Sequence, residues 1–449
     1  MSAGLAPPAQ TLPVVPATVR RPVAREVFLA VGVVVGLTAA TLLVSWFKLP
    51  VDLEVYRRGG QGVLSGFDQI YVSSARALPF TYPPLSALLF VPLAAVPPLV
   101  ATIVFTALSF ASLYFLVVVV RRDVFARHDM PRLQRVPTAA LVLAAAAAEP
   151  VAATVGFGQV NLVLAALVVA DLLVVSGRWS GVLLGLAIGI KVTPAIFLLL
   201  PLLWGDWATV RRSVVTVMLG VGLPILVVPQ SALTFWMGAL WDADRVGGVA
   251  YAGNQSIEGG LWRASGPGGV PLVRVLLCLI VVALASQAVR CLVRTDAVGA
   301  LLAAAVAGPL VSPISWSHHW VWVVLLVPWL ISFSRGTLGQ SRTLLHRLSF
   351  GLGVAWGGAV IGWVVRFPPA GDGREYLSPV LVKVLADTYL LLGLASLVVF
   401  VLPGHARPHQ GDSTAQNRGL SWEPATSSIV DHSSCGSSVD RTGTSPAKY

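Results

Sequence analysis

Runs of about twenty apolar residues recur along this chain from Val27 to Leu402, beginning with "VFLAVGVVVGLTAATLLVSWF". Coiled into a helix, a run of that length matches the roughly 30 Å hydrocarbon core of a bilayer. In lipid every backbone amide and carbonyl needs an internal partner, which leaves two architectures, a helix bundle or a closed barrel. A barrel needs strict alternation of apolar and polar residues, and these runs do not alternate. Only 11% of the 449 residues are charged, against about 25% in soluble domains. The expected fold class is therefore all-α polytopic membrane protein, with about 10–11 transmembrane helices.

The net charge of +11 is explained by Lys and Arg gathering in cytoplasmic loops, so no nucleic-acid partner is expected. Cys278, Cys291 and Cys435 are scattered, with neither metal-ligand spacing nor a disulfide framework, and neither metal nor cofactor is expected. Three segments follow. Residues 1–26 form a cytoplasmic N-terminal segment leading into an uncleaved first helix. Residues 27–402 are the transmembrane domain, and the Ser- and Thr-rich residues 403–449 are a disordered cytoplasmic tail.

Arg20, Arg21 and Arg25 precede the first helix, which puts its N-terminus inside and the stretch "KLPVDLEVYRRGGQGVLSG" outside. "LSALLFVPLAAVP" is too short to span and reads as a hairpin or interfacial segment on that outer face. "RRDVFARHDMPRLQR" is a basic inner loop, and "GFGQVN" joins the next two spans outside. The segment Gly181 to Trp204 creates a conflict. If it crosses once, the basic "GDWATVRR" lies outside and the long polar loop after Pro229 lies inside. If it enters and returns, both fall where their charge predicts. Lys191 and Pro194 sit at its centre, and proline breaks a helix. A re-entrant or strongly kinked element is expected, because broken helices at membrane depth line protein-enclosed or wet cavities.

This scheme sorts the polar residues to one side, where chemistry is expected. Asp52 stands where the first helix leaves the membrane, and partial burial there raises a carboxyl toward a useful general-base value. Glu54 shares its face if the chain is extended and not if it is helical. His318 and His319 lie in "SWSHHWVW" beside Trp316; on a helix they point about 100° apart, so they cannot serve one metal together. A protonated His there can bind a phosphate. Lys191 is a costly charge inside an apolar run, a functional position by default. With Arg58 and Arg263 it makes up the candidate phosphate-binding cations. Gln159, Asn161, Asn254 and Gln255 offer amides, and Tyr82 and Trp316 aromatic faces, to sugar hydroxyls and rings. A carboxylate base, cations for a phosphate and amides for hydroxyls describe glycosyl transfer from a lipid-linked sugar.

"DLEVYRRGGQGVLSG", "FTYPPLSALLF", "GQVNLVLAALVVADLL", "GLAIGIKVTPAIFLLLPLL", "NQSIEG" and "SPISWSHHW" occur in this order between Val27 and Leu402. Together they resemble the actinobacterial polyprenyl-phosphate-mannose-dependent α-(1→2)-mannosyltransferases. The resemblance implies a GT-C-like bundle in the plasma membrane with extracytoplasmic active-site loops. It implies inverting transfer of mannose from a polyprenyl-phosphate mannose donor to a mannolipid: a phosphatidylinositol mannoside, lipomannan or lipoarabinomannan. It places the general base at Asp52 and the family's histidine at His319 or His318. The family often writes the acid as an adjacent pair, and D-L-E departs from that, which leaves Glu54 open. Two alternatives stand beside it: the same fold with another polyprenyl-phosphate sugar such as arabinose, and a transporter or flippase of lipid-linked sugars. A transporter commonly shows internal repeats and midplane polar groups in both halves, neither of which is visible here.

Overall fold

The computed structural model describes residues 23–45, 48–66, 70–71, 78–128, 130–333, 344–371 and 373–402. The expected terminal segments, apart from the turn that begins at Val23, lie outside the described residues, as do Cys435 and most of "SRGTLGQSRTLLHR". The described residues form helices and short helical turns, with a single isolated β-bridge between Asn254 and Trp316.

The helices run between two ends, which Asp52 and Arg212 mark. Helix α1 (Val23–Val44) leads into α2 (Val51–Leu64) at the Asp52 end, followed by α3 (Pro84–Ala95). Proline at the first turn opens α3, α4 (Pro98–Val119) and the four-residue α5 (Pro131–Gln134), where a missing N–H costs nothing. Helix α4 descends through a π-turn to Phe125. Helices α6 (Thr138–Ala146) and α7 (Glu149–Phe157) return as one pass bent by 76°. Helix α8 (Asn161–Leu173) descends again. Helices α9 (Val182–Ile190) and α10 (Leu199–Trp204) are separated by Lys191, Val192 and a 3₁₀ turn at Thr193–Leu198.

The contacts of α9 and α10 resolve the charge conflict in favour of entry and return. Helix α9 runs alongside and parallel to α11 (Trp207–Val227): an added Cβ on Gly181 would meet Thr209, one on Gly185 would meet Ser213 and Thr216, and one on Gly220 would meet Gly189. The chain then comes back, with Ile196 against Gly308 and Trp204 under Arg294. Lys191 is the apex of this hairpin. Its two feet meet at the Arg212 end, where Ser180 Oγ lies 2.9 Å from Thr209 Oγ1, which donates to Asp206 Oδ2 at 2.6 Å.

After α11, the short α12 (Pro229–Thr234) and α13 (Ile257–Ser265) lie at the Asp52 end. Helices α14 (Pro271–Leu292), α15 (Ala297–Val311), α16 (Val323–Phe333) and α17 (Leu344–Ile361) alternate in direction. The short α18 (Arg374–Leu377) and α19 (Val380–Ala386) precede the last pass, α20 (Thr388–Val401), which bends 67° from α19. Counting α1, α4, α6 with α7, α8, α11, α14, α15, α16, α17 and α20, the described chain makes ten passes. Five helices are long and apolar enough to cross a bilayer unaided, seven with the two bent pairs counted as spans. Helices α8, α15 and α16 have only 13, 15 and 11 residues. The Ala-rich α15 is buried almost throughout, and small side chains let neighbouring backbones close in around it.

Helices α2 and α3 form a shelf at the Asp52 end. Arg57 is 6% exposed and donates to Leu93 O and to Val96 O, the carbonyls that α3 leaves open at its C-terminus. Beside it a Cβ on Gly60 would lie 2.8 Å from Phe90 O, so the glycine sets the helix spacing. Neither α2 nor α3 is long enough to span. The shelf holds the first site residue.

Candidate active site

Gly158 ends α7 in the left-handed region at φ 71°. A Cβ there would stand 2.8 Å from Pro50 Cβ and 2.9 Å from Leu53 Cβ. Glycine therefore lets this turn press on the first turn of α2, and Gln159 comes to hydrogen-bond the Asp52 carboxyl. Gln159 Oε1 accepts from Tyr82 Oη at 2.7 Å and lies 3.0 Å from Tyr56 Oη. Its amide nitrogen is the end left to donate to Asp52. Tyr56 follows Asp52 by four residues, one turn along the same face.

Because this stretch is helical, Glu54 lies about 200° round from Asp52. It pairs with Arg58 across 3.0 Å on the solvent-accessible side. The two acids therefore do not share a face, and Arg58 is engaged away from the site.

The second group gathers at the hairpin apex. Lys191 Nζ donates to Asn161 Oδ1 at 3.1 Å and lies 3.1 Å from His319 Nε2. It also sits 5.4 Å above the Tyr82 ring, so that face carries a cation and is not a free platform for a sugar. Asn161 Nδ2 donates to His318 O at 3.0 Å, and Thr154 Oγ1 to the same oxygen at 3.1 Å. Asn161 thus ties Lys191 to the "SHHW" turn. Asp52 and Lys191 are near enough for their charges to attract.

The adjacent histidines face different spaces, with ring planes 89° apart and centroids 4.9 Å apart. A cleft of about 1820 Å³ is lined by Asp52, Gln159, Trp316, Ser317, His318 and Arg366, among others. A smaller cavity is lined by Asn161, Lys191 and His319 together with apolar Leu164, Phe197 and Trp322. Burial raises the Asp52 carboxyl above its ordinary value, with the Gln159 hydrogen bond and Lys191 pulling part of the way back. Burial, then Lys191, holds both histidines well below theirs. That direction favours the neutral imidazole, and a neutral ring still donates through one N–H.

Three other expected residues are committed to structure. Asn254 Nδ2 donates to Val249 O and Pro313 O, and its Oδ1 accepts from Ser315 N. Gln255 donates to Ala252 O and Ala386 O and accepts from Tyr389 N. Arg263 is 1% exposed and bonded to Asp387 and to the carbonyls of Ala250, Tyr251 and Asn254. Each uses its polar groups to fasten the long polar loop to the bundle, and none lines the cleft or the cavity. Sequence reasoning passed over Arg366, which lines the cleft, Glu149, which is buried behind it, and Tyr56. Among the described residues no cluster of three or more His, Cys, Asp or Glu gathers.

A multi-pass helix bundle that encloses a carboxylate, a lysine and two histidines, between a wide cleft and a smaller cavity, is a membrane protein with the groups of an enzyme site. The chain belongs to glycosyltransferase family 87, which it matches over residues 80–313. It is 32% identical to a polyprenol-phosphate-mannose-dependent alpha-(1-2)-phosphatidylinositol mannoside mannosyltransferase of Mycolicibacterium smegmatis, over 84% of this chain and 90% of the relative. A second relative from that organism is named a polyprenol-phosphate-mannose-dependent alpha-(1-2)-phosphatidylinositol pentamannoside mannosyltransferase; it is 36% identical over 74% of this chain and 81% of its own length. A protein of the same name from Mycobacterium tuberculosis is 36% identical over 70% of this chain and 76% of its own. No solved structure matches the chain significantly.

Proposed function

We propose that this protein transfers mannose from polyprenyl-phosphate mannose to a phosphatidylinositol mannoside, forming an α-(1→2) linkage with inversion, at the extracytoplasmic face of the plasma membrane. The observation that carries the reading is the Asp52 carboxyl set beside the Lys191, Asn161 and His319 group. Asp52 removes the proton of the acceptor 2-hydroxyl. The freed oxygen attacks the anomeric carbon, the bond to the phosphate oxygen breaks, and its electron pair leaves on polyprenyl phosphate. Lys191 is the donor that meets this growing negative charge in the apolar cavity, where charge stabilisation is strongest. His319 supports it, and the cleft beside Asp52, Gln159 and Trp316 receives the acceptor sugar.

Membranes containing the protein, given radiolabelled polyprenyl-phosphate mannose and a phosphatidylinositol mannoside, are expected to yield a product with a new α-(1→2)-linked mannose. Linkage analysis giving another bond, or label entering only from another polyprenyl-phosphate sugar, overturns the reading. Sidedness is tested in intact cells after Cys278, Cys291 and Cys435 are replaced by Ser. Leu377→Cys is expected to react with an impermeant maleimide added outside, and Arg178→Cys only after the cells are opened; the reverse pattern overturns the extracytoplasmic assignment.

A further inference from the structure

Glu149 stands at the end of "AAAAAEP" and is fully buried. Its Oε1 accepts from Ser317 Oγ at 2.8 Å and from Arg366 Nε at 2.8 Å, and Arg366 Nη2 lies 2.8 Å from the same oxygen. Its Oε2 accepts from Tyr389 Oη at 3.2 Å. One carboxylate thus braces the turn that carries His318 and His319 against Arg366 on the cleft wall. The guanidinium has five N–H donors; the one on Nε is hydrogen-bonded to Glu149, and Nη2 is held in ion-pair contact with the same oxygen. The others meet no acceptor among the described residues. The Arg366 side chain is 38% exposed and lines the same cleft as Asp52 and His318. The guanidinium lies 5.7 Å over the Phe157 ring, which lines the same cleft.

We infer that Arg366 is a binding residue for the hydroxyl groups of the acceptor sugar, and that buried Glu149 is its positioning residue. The pairing decides between ligand classes. Glu149 neutralises the guanidinium, so Arg366 presents directed donors with little net charge, and that suits a neutral vicinal diol better than an anion. A planar fork reaches two adjacent oxygens at once, which an ammonium cannot. Trp316 and Tyr251 supply aromatic surface in the same cleft. Lys191, which has no carboxylate directly hydrogen-bonded to it among the described residues, serves the other cavity and is the better partner for a phosphate.

This inference rests on the cleft receiving the acceptor, and its test is kept apart from transfer. The purified full-length protein in nanodiscs is titrated with octyl α-D-mannopyranoside and, separately, with polyprenyl phosphate. Removing Arg366 alone strands a buried charge, which is strongly destabilising, so the main variant is the double substitution Glu149→Gln with Arg366→Gln. It is expected to bind the mannoside at least tenfold more weakly while polyprenyl phosphate affinity stays within twofold. Glu149→Gln alone is expected to weaken mannoside binding severalfold with the same selectivity. If the double variant elutes as aggregate, Arg366→Lys, which keeps the charge and loses the fork, is read by the same two titrations. Unchanged mannoside affinity, equal losses for both ligands, or no mannoside binding by the unmodified protein overturns the inference. If mannoside binding behaves as expected but no mannose is transferred from polyprenyl-phosphate mannose, the proposed reaction fails and the Arg366 site stands.

Discussion

Asp52→Asn is expected to lower the transfer rate by about 10²–10⁴-fold, the usual contribution of a positioned general base, while the protein stays folded in the membrane. The substitution keeps the size of the side chain and still offers an oxygen to the Gln159 amide. What it loses is the capacity to take the acceptor's proton. Initial rates in membranes, with thermal unfolding of the purified variant as the control for folding, check this. A rate within tenfold of the unmodified protein sinks the base assignment. The pH profile gives a second check. Burial raises the Asp52 carboxyl in the folded protein, so protonation removes the base at a higher pH than it would from an exposed aspartate near ~4. The rate is expected to fall as pH drops through that raised value. An acid limb lying at or below ~4 contradicts the expectation, and Asp52→Asn is expected to flatten it.

Lys191→Met is expected to cost about 10²–10³-fold in kcat/KM for the donor, the range seen when one preorganised donor to a developing negative charge is lost. Methionine preserves most of the length and suits an apolar cavity wall, so the loss reports the ammonium and not a void. Acceptor KM is expected to change little, because Lys191 lines the smaller cavity and not the cleft. Steady-state kinetics with donor and acceptor varied in turn make the measurement. Equal damage to both substrates argues against a role at the phosphate. His319 and Asn161 both bond to Lys191, so either substitution combined with Lys191→Met is expected to be far from additive.

The membrane class and the helical content were legible because hydropathy is a property of the run and does not depend on neighbours. The entry and return of the segment around Lys191 was legible for a different reason: charge placed on both sides left one consistent path. Lys191 itself stood out as an expensive charge in an apolar run. The same rule applied to Glu149 marks it just as clearly, yet a carboxylate at the end of an alanine run reads as a helix start. Arg366, just before "FPP", reads as an ordinary interfacial arginine until its buried partner is known. Asn254, Gln255 and Arg263 went the other way. Their types suited sugar and phosphate binding, but whether an amide or guanidinium faces a ligand or a backbone carbonyl depends on loop contacts that sequence spacing does not report. Asp52 and Glu54 were separated only by the helical state of α2, which the polar composition of that stretch left open.

The hairpin with Lys191 at its apex has a consequence for how such chains can change. Because its two feet meet at the same end of the bundle, it adds nothing to the parity of passes. Residues 181–206 can be lengthened, shortened or exchanged without inverting the sidedness of the passes that follow, a freedom that a crossing helix lacks. Lys191 is thus carried on an exchangeable cassette, while Asp52 belongs to a shelf locked between the first two passes. Divergence in the Lys191 hairpin can therefore proceed while the Asp52 shelf and the orientation of the protein stay fixed.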